Sequence, residues 1–444
     1  MVAFFTRRAV WSAGFLLIAG LSVGPVAAQT AYVGGAWYAG GSGPALFTER
    51  DTTWAVEGQF VAERPAEVTR VVELGEAFIV PPFGDGHMHA FEAPASIRYE
   101  DSLFVARGVL YAFNAHVPAA EHESVSGYPT LVDVTYAITG LTAPGAHPAT
   151  AYEARALGLQ AWNVNGPRGD EIRASRLREG DAYHLAVTRA DLDTVWPAVL
   201  ASGTPWVKIF LDHSDEWTRA DGETVRPEQP RGLAPAVAAE IVRRARADGL
   251  RVVAHVMTAT DLGKALDAGV DLFAHVPGFS VDDQPPGEAE DGAYAMPDSL
   301  LARLASAQTP VAPTLARGPA MIKYIPAEYR PDSATVDTVR AFHRTLLRRL
   351  SRAGVPIVMG ADLGGLWSWD EVGYALDIGG LTPAEALQAW AVATPRAIFP
   401  DRAIGALEPE YEASFLALSC NPVSDWTCTA SITHREKQGH KLGG

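Results

Sequence analysis

Between residues 31 and 80 the chain runs in short apolar stretches broken by turn residues. Ala31-Tyr32-Val33, Thr52-Thr53-Trp54-Ala55-Val56, Gln59-Phe60-Val61 and Val68-Thr69-Arg70-Val71-Val72 predict strands, with Glu57-Gly58 as a hairpin turn. From about residue 79 the pattern changes. Apolar runs at Ile79, 109–112, 131–136, 206–211, 251–256, 272–275, 311–315 and 356–360 read as eight strands. Between several of them lie amphipathic stretches that predict helices over 235–248, 259–268, 297–307, 333–353 and 383–393. Three of these open with Pro, which suits the first helical position. After Pro400 strand character returns at Ala413–Leu418 and Thr429–Ile432.

Strands alternating with helices predict an α/β architecture, here a (β/α)8 TIM barrel. The β-rich pieces at the two ends are each too small for a core, so they are expected to pair into one small β-sandwich. The expected division is a leader over 1–28, half of the sandwich over 29–78, the barrel over 79–400 and the rest of the sandwich over 401–444. The leader has Arg7 and Arg8, a short apolar run from Ala13 to Val23 and small residues at Val26-Ala27-Ala28. That pattern reads as a secretory signal peptide, with a weak twin-arginine hint, and not as a membrane anchor. Residues 282–292, rich in acids, Pro and Gly, read as an exposed loop.

A net charge of −16 argues against nucleic acid as a partner, because phosphate binding needs a basic surface. A small-molecule substrate is expected, with a homo-oligomer possible, in the periplasm or outside the cell. The only cysteines, Cys420 and Cys428, suggest a hairpin disulfide in an exported chain.

The chemistry is carried by strand ends. In Asp85-Gly86-His87-Met88-His89 the two imidazoles share one face of an extended chain and could bind one metal ion. His255 closes Arg251-Val252-Val253-Ala254-His255, His275 closes Asp271-Leu272-Phe273-Ala274-His275, and Asp362 follows Ile357-Val358-Met359-Gly360-Ala361. Lys208 sits inside an apolar strand, where Val207 and Ile209 point outwards and Lys208 points inwards. A buried ammonium is expensive, and carboxylation of the amine is one solution; snorkelling to the rim or pairing with Asp362 are others. Each residue alone has a bland reading, as a core histidine or a helix cap. Together they fit one site at the C-terminal mouth of a barrel. His116, His147, His213, Trp217, Trp367 and Trp369 on the following loops are candidates for substrate contact.

These motifs, with Ala268-Gly269-Val270-Asp271, Thr394-Pro395-Arg396-Ala397 and Gly405-Ala406-Leu407-Glu408-Pro409, resemble the amidohydrolase superfamily. The resemblance is to its imidazolonepropionase-like and Xaa-Pro dipeptidase-like branch. Pro82 stands where that family more often has Gly. The resemblance implies two divalent metal ions, with zinc the default and manganese or iron as alternatives. His87, His89, carboxylated Lys208 and Asp362 would hold one, and the same carbamate with His255 and His275 the other. It implies hydrolysis of an amide, cyclic amide or dipeptide C–N bond by a metal-bridged hydroxide, with Lys208 and Asp362 as catalytic groups and Asp362 moving the proton. A lactone or phosphoester hydrolase on the same centre, or a secreted binding protein with a vestigial site, are the alternatives.

Overall fold

The computed structural model describes residues 29–41, 46–214, 231–279, 293–325 and 327–443. The expected leader and the acidic stretch 282–292 lie outside them.

Both chain ends build one eight-stranded mixed sheet. The N-terminal part supplies Gln29–Tyr38, Phe47–Glu49, Thr52–Val56, Gln59–Val61 and Arg70–Val80. The C-terminal part supplies Phe415–Leu418, Ile432–Lys437 and His440–Lys441. Strand Arg70–Val80 joins the two, pairing Ile79 with Trp37 in parallel and with Ala417 in antiparallel register. The sheet curls until its far edge meets the segment before Phe415. Phe60 N donates to Tyr411 O (2.8 Å) and Ala413 N to Gly58 O (2.7 Å). Inside the curl lie the buried rings of Tyr32, Trp37, Phe60 and Phe415. Edge-to-face pairs dominate, such as Tyr32 on Phe415 at 4.9 Å, the geometry that ring quadrupoles favour.

The sequence pattern placed Ile79 at the head of the first barrel strand, but Ile79 and Val80 finish the long strand of the end sheet. Pro81-Pro82 explains the break. Neither has an N–H for a ladder, so hydrogen bonding stops and a separate strand, Phe83–Met88, opens the barrel.

The barrel is parallel. Phe83–Met88, Val109–Val117, Asp133–Ile138, Trp206–Phe210, Arg251–His255 and Leu272–Phe273 follow in order. Bridges Phe273↔Val311 and Val311↔Ile357 add the last two strands. Gly86 N to Met359 O (2.7 Å) and Asp362 N to His87 O (3.1 Å) close the ring. Closure is tight enough to demand glycine. A Cβ on Gly86 would lie 2.1 Å from Val358 Cγ1, and one on Gly360 would lie 2.4 Å from His87 N. The chain is thus an α/β protein, a (β/α)8 barrel carrying a sheet domain made from both ends.

Three expectations shift. The third strand starts at Asp133, because Asp101 takes the N–H groups of Leu131 and Val132 before the ladder begins. The helix from Pro383 runs past Ala393 to Ile398 through a π turn at Ala389–Ala393. The turn lets Thr394 Oγ1 donate to Ala389 O and accept from Met359 N, both at 2.8 Å. Residues 429–432 are not one strand, since a 3-10 helix at Trp426–Ala430 precedes Ile432. Cys420 and Cys428 are bonded with Cα atoms 5.5 Å apart, and the bridge ties that helix to the end of Phe415–Leu418. A segment not foreseen, Gly140–Leu185, carries two short helices and strand Tyr183–Leu185 between the third and fourth barrel strands. Glu153 pins it, accepting from Tyr183 Oη and from the N–H groups of Leu177 and Arg178.

Candidate metal centre

The strand ends bring His87, His275 and Asp362 together, with one ligand-type atom from each lying within 4.8 Å of the others. His87 Nε2 is 3.0 Å from Asp362 Oδ1, and His89 Nε2 is 3.1 Å from the same oxygen. His275 Nε2 lies 3.7 Å from Asp362 Oδ2. His255 neighbours His275, their ring centres 4.6 Å apart.

His87 Nδ1 is 3.0 Å from Ala274 O, which can only accept, so Nδ1 carries the proton. The Thr314 hydroxyl donates to Pro313 O (2.8 Å) and therefore accepts from His275 Nδ1 (2.8 Å). Both imidazoles then turn an Nε2 lone pair towards an anionic carboxylate. Protonating them is opposed by burial, which brings His87 down to about 4 and His275 well below the usual histidine range. Burial alone would raise Asp362, but His87 and His89 hold it well below the usual carboxylate range. Two lone pairs and a carboxylate facing one another are reconciled by a cation. The donors, imidazole nitrogen and carboxylate oxygen, suit zinc, manganese or iron.

His89 differs. Burial pushes it down, but hydrogen bonding to Asp362 and to Glu92, whose Oε1 is 3.4 Å from Nδ1, outweighs burial and raises it to about 9. Glu92 is held in turn by Asn114 Nδ2 at 2.7 Å.

Lys208 is 2% exposed. Among the described residues it makes no hydrogen bond or ion pair; its Nζ lies 5.4 Å from the Phe210 ring centre. Burial lowers it to about 7, partly offset by Asp362. The Phe210 ring packs on both His255 and His147.

The backbone beside the cluster is strained at two residues. Asp362 and Thr314 have φ of 51° and 55°, rare for any side chain and rarer for a β-branched one. Two buried carboxylates hold these turns. Asp85 accepts from Ser368 N (2.7 Å) and His87 N (3.3 Å). Glu371 accepts from Leu315 N (2.9 Å) and Ala316 N (2.7 Å). Burial raises both carboxyls to about 7.

Of the candidate contact residues, His147 packs beside His255 at 5.0 Å. His116 instead donates from Nε2 to Ala182 O (2.8 Å), docking the 140–185 segment. His213 sits near Asp212, its backbone N–H taken by Asp261. Trp367 and Trp369 pack on Phe104. Trp217 lies outside the described residues. Thr314 and Glu371 were missed, because nothing local marks a Thr or Glu that acts through a residue dozens of positions away, and Glu92 was missed although it lies three positions from His89.

The fold, a TIM barrel with an appended sheet domain, is shared with solved structures of hydrolases. No family model matches the chain, and no curated protein matches it by sequence. Among solved structures it is similar to A. niger ochratoxinase at 17% identity, covering 94% of this chain and 96% of that one with a TM-score of 0.67. It is similar to a Xaa-Pro dipeptidase with bound methionine in its active site at 16% identity, covering 94% and 100%, TM-score 0.67. A prolidase complexed with N-methylphosphonate-L-proline aligns at 16% identity over 93% and 99%, TM-score 0.64.

Proposed function

We propose that the chain is an exported metal-dependent hydrolase that cleaves a C–N bond in an amide, cyclic amide or dipeptide. One observation carries the reading: the Nε2 lone pairs of His87 and His275 converge on the anionic Asp362 in a buried pocket that only a cation completes. The fold shared with hydrolases, among them a prolidase and a Xaa-Pro dipeptidase, supports it.

His87, His89, His255, His275, Lys208 and Asp362 would hold two divalent ions, which supply Lewis acidity and hydroxide near neutral pH. Lys208 joins as a carbamate. Its neutral amine attacks carbon dioxide, forms an N–C bond and releases one proton, so an uncharged buried amine becomes an anionic ligand. Burial favours the free amine that this step needs. Asp362 stays ionised and its two oxygens face different imidazoles, so it can accept a proton from the attacking water and return it to the leaving amine. Thr314 and Ala274 O keep the Nδ1 protons in place and aim the Nε2 atoms inwards. Export is supported by the leader pattern and by the Cys420–Cys428 bond, which suits an oxidising compartment. Among the described residues no helix is long and apolar enough to cross a membrane.

The test is a screen of metal-replete protein against dipeptides, N-acyl amino acids, hydantoins, lactones and phosphotriesters. Turnover of C–N substrates that stops with chelator and returns with zinc or manganese is expected. Turnover confined to esters of carbon or phosphorus would refute the C–N assignment.

A further inference from the structure

His255 and His275 close neighbouring barrel strands with ring centres 4.6 Å apart, but they are held differently. His275 has the Thr314 hydroxyl on Nδ1 at 2.8 Å. One hydrogen bond fixes the edge of a ring and leaves its plane free to rock about that bond. Among the described residues no hydrogen bond holds the His255 ring at all. An aromatic contact fixes both planes. Phe279 lies flat on His275, with centroids 3.8 Å apart and planes within 10°, and meets His255 edge-on at 5.8 Å and 90°. Phe210 and His147 also touch His255, but among the described residues Phe279 is the one ring that touches both imidazoles.

The turn that delivers Phe279 is rigid by sequence. Val276-Pro277-Gly278-Phe279 follows His275 directly. Phe279 N donates to Val276 O at 3.1 Å, with Pro277 second and Gly278, φ 80°, third, the composition of a type II turn. The helix Ser333–Arg352 backs this turn: a Cβ on Gly278 would lie 2.7 Å from Phe342 Cε1. Beside Phe342, the buried His343 ring is 2.9 Å from the Tyr374 hydroxyl, which ties that helix to Ser368–Asp377. Phe279 itself is buried, so neighbours pack it on nearly all sides.

A flat ring face also suits the chemistry. An imidazole that gives its lone pair to a cation becomes electron-poor, and the negative face of a benzene ring attracts it. Contact with Phe279 therefore favours the ligated His275 over the free one.

We propose that Phe279 is a positioning residue for the second metal ion: one ring sets the planes of His255 and His275 together, so that both present a lone pair to the same ion. The inference rests on the two-ion reading for the ion, and on Phe279 alone for the alignment.

The test is stepwise zinc titration of the metal-stripped full chain by calorimetry, repeated with cobalt, whose visible absorption reports ligand geometry. Wild type should take up two ions. Phe279→Leu keeps apolar bulk but loses the flat face. It should weaken the second equivalent by about tenfold or more, leave the first within about twofold and alter the spectrum of the second cobalt ion. Phe279→Tyr keeps the face and should bind like wild type. Gly278→Ala keeps the ring but displaces its turn; it should repeat the Leu result, and it carries the test where Phe279→Leu does not fold. A merely structural role would lower the unfolding midpoint of Phe279→Leu with both equivalents unchanged. That outcome, equal weakening of both equivalents, or a Tyr variant as weak as the Leu variant would overturn the proposal, and two ions in wild type would then leave the two-ion reading standing. A wild type that binds one ion, weakened in Phe279→Leu and restored in Phe279→Tyr, upholds the positioning and counts against the two-ion reading alone. A wild type that binds none would overturn both.

Discussion

Two carboxylates, the partly buried Asp362 at the barrel mouth and Glu436 in the end sheet, are built from the same kinds of neighbour with opposite results. Glu436 is fully buried. It accepts from Tyr32 Oη at 2.8 Å, from two Arg70 nitrogens at 2.6 and 3.0 Å and from His434 Nε2 at 2.7 Å. Burial alone would raise it, but His434, Arg70 and Tyr32 hold it below the usual carboxylate range. Every oxygen there meets a donor, so the network is closed and structural. Asp362 also has histidines and an arginine around it, but two of the imidazoles present lone pairs and Arg317 stands off at 3.8 Å. The same residue types make a clamp when donors match acceptors and a binding site when they do not.

Four experiments bear on that contrast. The largest effect is expected at Lys208. Lys208→Ala should lose at least one metal equivalent by elemental analysis and drop turnover below detection while the protein stays folded. A variant that keeps two metals and full activity would remove Lys208 from the centre. Next, Glu436→Ala should cost about 3–5 kcal/mol in denaturant unfolding, because it strands Arg70 and His434 around an emptied pocket, yet leave the metal content of the folded fraction unchanged. Were it instead to empty the metal centre, the two regions would not be separable.

Thr314→Val removes the acceptor that sets the His275 tautomer. Metal affinity should fall about 10–100-fold with little change in unfolding midpoint, and Thr314→Ser should recover it. Equal affinity in the Val variant would show that the hydroxyl does not orient His275. The smallest effect is on pH. His89 is protonated below about 9 in the metal-free protein and must be neutral to bind an ion. Metal affinity should therefore rise about tenfold per pH unit below 9 and flatten above it, with proton release seen by calorimetry in buffers of different ionisation enthalpy. An affinity that is flat between pH 6 and about 9 would mean that His89 is not a ligand.

Much of the barrel was legible because its signal is local. Apolar runs at 206–211 and 251–256 became strands within a residue, and Ala259–Ala268 became a helix over the expected span. Where the reading slipped, a longer-range contact won. Asp101 reached 30 residues to take the N–H groups of Leu131, and Thr394 bent its helix to serve Met359. The tandem prolines were visible, but that they separate two sheets depends on which strands flank Arg70–Val80.

Residue type and strand-end placement alone nominated His87, His89, Lys208, His255, His275 and Asp362, since strand pleat and the apolar period of two dictate which way each side chain points. Tertiary structure decided the rest. It set which nitrogen of His87 and His275 keeps its proton, because Ala274 O and Thr314 Oγ1 lie 187 and 39 positions away. It also decided that Glu436 is satisfied while Asp362 is not, since hydrogen bonding depends on partners a few ångströms off, and sequence order does not record them.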